Sequence, residues 1–369
     1  MTHETFRPAD DDEPPPRRRG GATGVVVALV VLALIGVGGV LGGKALLSRL
    51  SFGSAADHDG EGEGEARVQI QRGATAAAIA ETLERAGVVA SSAAFREAAR
   101  DDERSLRIQP GWYRLRLKMK ASLALELLLD PKARLRSRVT IPEGITVDRT
   151  LQLVAKNVDG ITLKSLREAA KNPGALSLPP YAGNRLEGFL FPATYDFEPG
   201  TSAVEVLTTM VRQFEVRAAR LRLDERAQAL GITPYQALVI GSLVEGETGQ
   251  ESERGKVAQV VYNRLEQPMR LQFDSTVKYA YALRGENKTR LFYRDLEIDS
   301  PYNTYRIDGL PPAPINSPGE AALEAALAPT PGPWLYFVVI DKQGRSAFAT
   351  TAEEFARLKE RYREEVLEE

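Results

Sequence analysis

Residues 233–249 run TPYQALVIGSLVEGETG, a stretch that spells out both ends of a helix. Thr233 stands at the N-cap, Pro234 at the first helical position and Gln236 at the third, which is a capping-box start. Gly246 and Gly249 bracket Glu247-Thr248 and predict the end there. Ile240, Leu243 and Val244 mark an apolar face, and Glu247 falls on it at helical spacing. Glu245, two positions earlier, points roughly the other way. A carboxylate among apolar neighbours loses hydration, and its pKa rises toward the range that a general acid needs. The other reading of Glu247 at this point is a helix-end glutamate facing solvent.

Downstream, Val257, Val260, Val261 and Leu265 give the apolar face of a second helix, followed by Leu271-Gln272-Phe273-Asp274. Pro301 to Tyr305 and Gly309 to Ile315 form a loop rich in proline, asparagine and tyrosine, of the kind that carries sites on a rigid scaffold. Tyrosine offers a flat face and a hydroxyl, and asparagine offers a donor and an acceptor. The same residues also suit a proline-stiffened surface loop. Leu335 to Ile340 reads as a buried strand, Gly344 as a turn, Ser346 to Thr350 as the returning strand and Glu353 to Glu365 as a charged helix. Upstream, Ser202 to Ala229 reads as one long helix. Further back, Val68-x-Ile70 and then Gly73-x-Thr75 open a strand and a helix, and the pattern returns as Val139-x-Ile141-x-x-Gly144-x-Thr146. Tyr113 to Leu117 and Ser122 to Leu129 add a strand and a helix between them. Such small β-α units resemble LysM-like modules, which bind glycan; a structural spacer is the alternative.

The chain has 369 residues, 43% apolar and 27% charged, with net charge −2, two histidines and no cysteine. That length exceeds a single core. The near-neutral balance supplies no basic field for nucleic acid. Without cysteine there are no disulfides, thiolate nucleophiles or cysteine-type metal sites. His3 and His58 lie on either side of an uncharged apolar stretch, which leaves out a Ser-His-Asp triad, a histidine base and a histidine-held metal. That stretch, Gly24 to Gly43, is long enough to span a bilayer as a helix. Arg17, Arg18 and Arg19 before it put the N-terminus in the cytoplasm and the rest outside. A cleavable signal peptide would end in an A-x-A-like site, and none follows. No G-x-x-x-x-G-K-[ST] or G-x-G-x-x-G is present, so no nucleotide cofactor is expected and the substrates are those of the cell envelope. Ser275-Thr276-Val277-Lys278 matches the S-x-x-K of serine acyltransferases, but its companion motifs are missing.

Several strings, taken together and in order, resemble the endolytic murein transglycosylase family: LEGFLFPATYDF at 186–197, SLVEGET at 242–248, SERGKVAQVVYNRL at 252–265, LQFD at 271–274 and SPYNTYRIDGLPPAPI at 300–315. PWLYFVV and the Ser346 to Thr350 strand complete the set. The resemblance implies a single-pass membrane enzyme that cleaves nascent peptidoglycan within the glycan strand and leaves 1,6-anhydroMurNAc ends. It puts the catalytic acid at Glu247. Asp274, Asn303 and Tyr305 are expected to orient the sugar, with Glu245 a weaker candidate, and neither metal nor cofactor is called for. The implied partners are peptidoglycan glycan strands and the cell-wall synthesis enzymes of the membrane. The expected fold is α+β: a tail over 1–22, a transmembrane helix over 23–45, an acidic tether over 46–65, a LysM-like β-α module over 66–135 and an α+β catalytic domain over 136–369. Two other readings stand beside it, a non-catalytic glycan-binding scaffold and a hydrolytic muramidase with Asp274 as second carboxylate. The chain departs from the family at Ser275, where proline is usual and a looser turn is expected, and at Ser317, where asparagine is usual. Ala347 and Phe355 stand near places where relatives often carry histidine.

Overall fold

A computed structural model of the chain describes residues 55–362. The tail, the membrane segment over 23–45 and the tether up to residue 54 lie outside the described residues. Among the described residues no single helix is long and apolar enough to cross a membrane. The described residues form a mixed fold, with twelve α-helices and three two-stranded sheets among them. It divides into two compact units, each assembled from more than one segment.

The first unit comprises the residues up to Ala66, Ala74–Ile108 and Leu115–Leu129. It holds helices α1 (Ala76–Arg85), α2 (Ser92–Asp101) and α3 (Ala121–Leu129). Strands β1 (Glu63–Ile70) and β2 (Gly111–Leu117) form a two-stranded sheet, of which residues 67–70 and 111–114 are counted with the second unit. Thr75 caps α1 as its position predicts, its hydroxyl accepting from the Ala78 amide at 3.2 Å. Leu83, Phe95, Leu125 and Leu128 are buried here. The acidic stretch read as a tether is fastened in the structure. Asp57 accepts from the Ala121 amide at 2.9 Å, Glu61 pairs with Arg116, Glu63 pairs with Lys118, and β1 begins at Glu63. Cationic partners from residues 116–118 offset the like-charge repulsion that the sequence alone shows.

The second unit carries the remaining elements in chain order: β3 (Ser137–Thr140), α4 (Val147–Asn157), α5 (Leu163–Ala170), β4 (Thr194–Phe197), α6 (Ala203–Arg220), α7 (Leu223–Ala229), α8 (Pro234–Glu247), α9 (Arg254–Glu266), α10 (Asp274–Ala282), α11 (Glu320–Leu327), β5 (Tyr336–Val339), β6 (Ser346–Ala349) and α12 (Ala352–Tyr362). β3 pairs antiparallel with β4, Val139 facing Tyr195, and β5 with β6, Val338 facing Ala347. Thr146 caps α4 and Thr233 closes a capping box with Gln236, both at the predicted positions. The long helix read over 202–229 is two helices. Arg222 takes a left-handed φ of 53° between α6 and α7, and no glycine or proline announces it. The strand read as buried, β5, is half-buried, with Val339 37% exposed.

Helix α8 organises this unit. Every residue from Ala237 to Val244 is buried, so the helix has no solvent face along that length. α7, α9, α10 and α11 surround it. A helix that is apolar all round belongs inside a core; beyond that length its first and last turns emerge, and the last one bears on function. That turn carries Glu245 and Glu247.

Candidate active site

Glu247 is the last residue of α8, and Thr248 closes the helix in an extended conformation. Its carboxylate lies against the first turn of α10. Oε1 accepts from the Ser275 hydroxyl at 2.6 Å and from the Ser275 amide at 3.2 Å. The other oxygen, Oε2, has no hydrogen-bond partner among the described residues. Burial pushes the carboxyl up to about 7, and the nearby Asp274 charge adds to the rise. The two bonds from Ser275 and the nearby Lys278 ammonium pull the other way and are outweighed. The approach of α8 to α10 depends on Gly246, where a Cβ would stand 2.9 Å from the Ser275 Cβ.

Ser275 therefore does something that its reading as a loose turn misses. It is the second residue of α10, and its two donors hold one oxygen of Glu247. Its hydroxyl is bonded to Glu247 rather than to Lys278, as the missing acyltransferase motifs already suggested. Removing that hydroxyl takes away a bond that favours the ionised carboxylate, so Ser275→Ala moves the Glu247 pKa further upward. The expected result is a pH–rate profile whose alkaline limb shifts to higher pH, with the maximal rate down about tenfold from lost positioning. Steady-state rates across the pH range check it.

Asp274 and Tyr305 lie beside this pair. The Tyr305 hydroxyl donates to Asp274 Oδ1 at 2.7 Å, and burial together with the Asp274 charge holds the phenol well above its ordinary pKa. The structure thus brings Glu247, Ser275, Asp274 and Tyr305 together at the end of α8 and the start of α10.

Two other predicted ligands are braces. Glu245 has a side chain only 7% exposed; it grips Arg254 with both oxygens at 3.1 and 3.3 Å and accepts from the Gly319 amide at 3.0 Å. Both of its oxygens are committed to Arg254 and the entry to α11. Asn303 is fully buried: its amide donates to the Leu296 and Ile298 carbonyls, both at 2.8 Å, while its oxygen accepts from the Tyr305 amide. Asparagine's mix of donor and acceptor serves the loop's own backbone here. Asn303 positions Tyr305.

Glu187, in the LEGFLFP string, went unremarked as chemistry. Burial pushes its carboxyl up to about 7 as well, while its oxygens accept from the Val147 amide at 2.9 Å and the Tyr279 hydroxyl at 3.1 Å. An acid inside an apolar string was its only sequence signal. Ser317 works through its main chain, accepting from the Gly144 amide and donating to the Ile145 carbonyl, so that the change from asparagine leaves those bonds in place. Ala347 lies in the β5–β6 hairpin, and Phe355 stacks on Tyr336 with ring centroids 5.2 Å apart.

The sequence profile of the YceG-like family matches residues 68–361. A Bacillus subtilis protein named endolytic murein transglycosylase is 33% identical over 306 residues, which cover 79% of this chain and 82% of that one. A Streptococcus pneumoniae protein of the same name is 30% identical over 356 residues, covering 89% of this chain and 63% of its own length. The solved structure of a yceG-like protein from Listeria monocytogenes superposes with a TM-score of 0.56 at 30% identity, covering 80% of this chain and 98% of that one.

Proposed function

The chain belongs to the YceG-like family, and from that premise we propose that it is an endolytic murein transglycosylase, a lytic enzyme that cuts the MurNAc–GlcNAc β-1,4 bond and leaves 1,6-anhydroMurNAc ends. The observation that carries this reading is the Glu247 carboxyl: held through one oxygen, open at the other, and near half-protonation at neutral pH. Protonated Glu247 donates to the glycosidic oxygen as the C1–O bond breaks and positive charge gathers on the sugar ring. The same carboxylate, now ionised, takes the proton of the MurNAc C6 hydroxyl, and that oxygen closes onto C1. The substrate supplies the nucleophile, so no activated water is required. Asp274, its position set by Tyr305, offers negative charge to the oxocarbenium-like centre. The proximity of Asp274 to Glu247 also favours a second reading, a hydrolytic muramidase in which Asp274 activates water.

In this reading residues 23–45 anchor the protein in the cell membrane, with the N-terminus cytoplasmic and the site outside. Cleavage there trims strands as synthesis enzymes extend them and ends their polymerisation. The β1-α1-α2-β2 order over residues 63–117 supports a LysM-like, glycan-holding role for residues 66–135. The test is the length distribution of uncrosslinked glycan strands after incubation with full-length protein in detergent. An endolytic enzyme shortens long strands early, without first releasing disaccharides. Stepwise release of disaccharides, or strands of unchanged length, would refute the proposal.

A further inference from the structure

Asp274 and the segment around Arg290 to Leu296 line a cavity of about 670 Å3. Two aromatic rings stand out into solvent there: Phe292 is 52% exposed and Tyr293 89%. The guanidinium groups of Arg290 and Arg294 both lie over the Phe292 ring, 5.4 and 5.6 Å from its centre. Both arginines are exposed, and neither has a carboxylate partner among the described residues. The acids nearby are committed elsewhere. Asp295 is buried and accepts from the Phe292 amide, the Lys288 ammonium and the Tyr281 hydroxyl. Glu297 pairs with Arg306, and Asp274 receives the Tyr305 hydroxyl. The segment is also held in place, because the Asn303 amide fixes the Leu296 and Ile298 carbonyls.

A flat ring exposed beside a site suits the C–H face of a sugar, and two guanidinium forks with no acid to hold suit a carboxylate. We propose that this cavity is a glycan subsite contiguous with Glu247, in which one sugar lies on Phe292 while a carboxylate of that muramyl unit is held by Arg290 and Arg294. The carboxylate comes from the stem peptide where one is attached, because the lactyl carboxyl is then an amide, and from the lactyl arm where the stem has been removed. Asp274, itself negatively charged, takes hydroxyls rather than the anion. The assignment rests on the murein reading given above.

The test is equilibrium binding to the full-length Glu247→Gln protein, which reads the subsite without turnover. Three probes are compared: stem-bearing strands, strands stripped of their stems, and neutral GlcNAc oligomers. The Arg290→Gln/Arg294→Gln double variant is expected to bind stem-bearing strands about tenfold more weakly, with neutral oligomers unaffected and the difference shrinking as salt rises. If stripped strands also weaken, the two arginines hold the lactyl carboxylate freed by stem removal as well as a stem carboxylate; if they do not, they hold a stem carboxylate alone. Phe292→Ala is expected to weaken all three probes. These side chains are exposed, so thermal midpoints should match the parent's. Equal loss on neutral oligomers, or none on any anionic probe, overturns the subsite. Failure of the unmodified protein to bind or cut any murein strand overturns the murein reading instead.

Discussion

Glu247→Gln is expected to lower the cleavage rate by about 10²- to 10⁴-fold, the range in which a positioned general acid contributes. The amide keeps the shape of the side chain and still accepts from Ser275, whose two donors reach one oxygen. It has no proton to give the leaving oxygen and cannot take one from the C6 hydroxyl. Stability moves in the opposite direction to activity. A carboxyl raised to about 7 is costly to ionise in the folded protein, so its unfavourable contribution is absent at low pH and grows as pH rises from the ordinary value of 4.5 through about 7. At about pH 8 the glutamine variant should therefore unfold at a temperature equal to or above that of the parent, and the gap should close in acid. In the parent, the rate should fall as pH rises through about 7, because the acid form disappears. Rates and thermal unfolding across pH measure both halves.

Glu245→Ala, two residues away, is expected to do the reverse. Arg254 is only 10% exposed, its Nε has no partner, and Glu245 supplies both of its close oxygens. Removing one member of a buried pair costs roughly 3–5 kcal/mol, because the remaining charge stays buried. Glu143, 3.7 Å from the guanidinium, remains as a weak partner and places the loss toward the lower end. The Gly319 amide at the entry to α11 loses its acceptor too. The midpoint of unfolding should fall by roughly 6–12 °C. Protein that stays folded should still cleave. Thermal unfolding and activity, measured on the same preparation, separate this brace from the proposed acid, Glu247.

What the sequence could reveal follows from how far apart the interacting residues lie. The caps at Thr75, Thr146 and Thr233 are bonds across three residues, and local rules found all of them. The β5–β6 hairpin was legible for the same reason. The turn at Arg222 was not, since no residue there favours the left-handed conformation that it adopts. The apolar face of α8 proved to be the whole surface of a buried helix, so periodicity placed Glu247 correctly but for an incomplete reason. The partner of Glu247, Ser275, is 28 positions away, and that of Glu187, Tyr279, is 92 away; chain folding alone joins them. Asn303 and Glu245 show the converse. Polar side chains suited to a sugar are equally suited to the backbone of their own loop, and only the folded arrangement decides which one they serve.

The most direct test of the central claim is the mass of the products formed from uncrosslinked glycan strands, with full-length protein and its Glu247→Gln variant side by side. The account predicts new ends lighter by one water, as ring closure by the C6 hydroxyl requires, and their disappearance in the variant. Reducing ends of full mass would contradict it and assign Asp274 the activation of water.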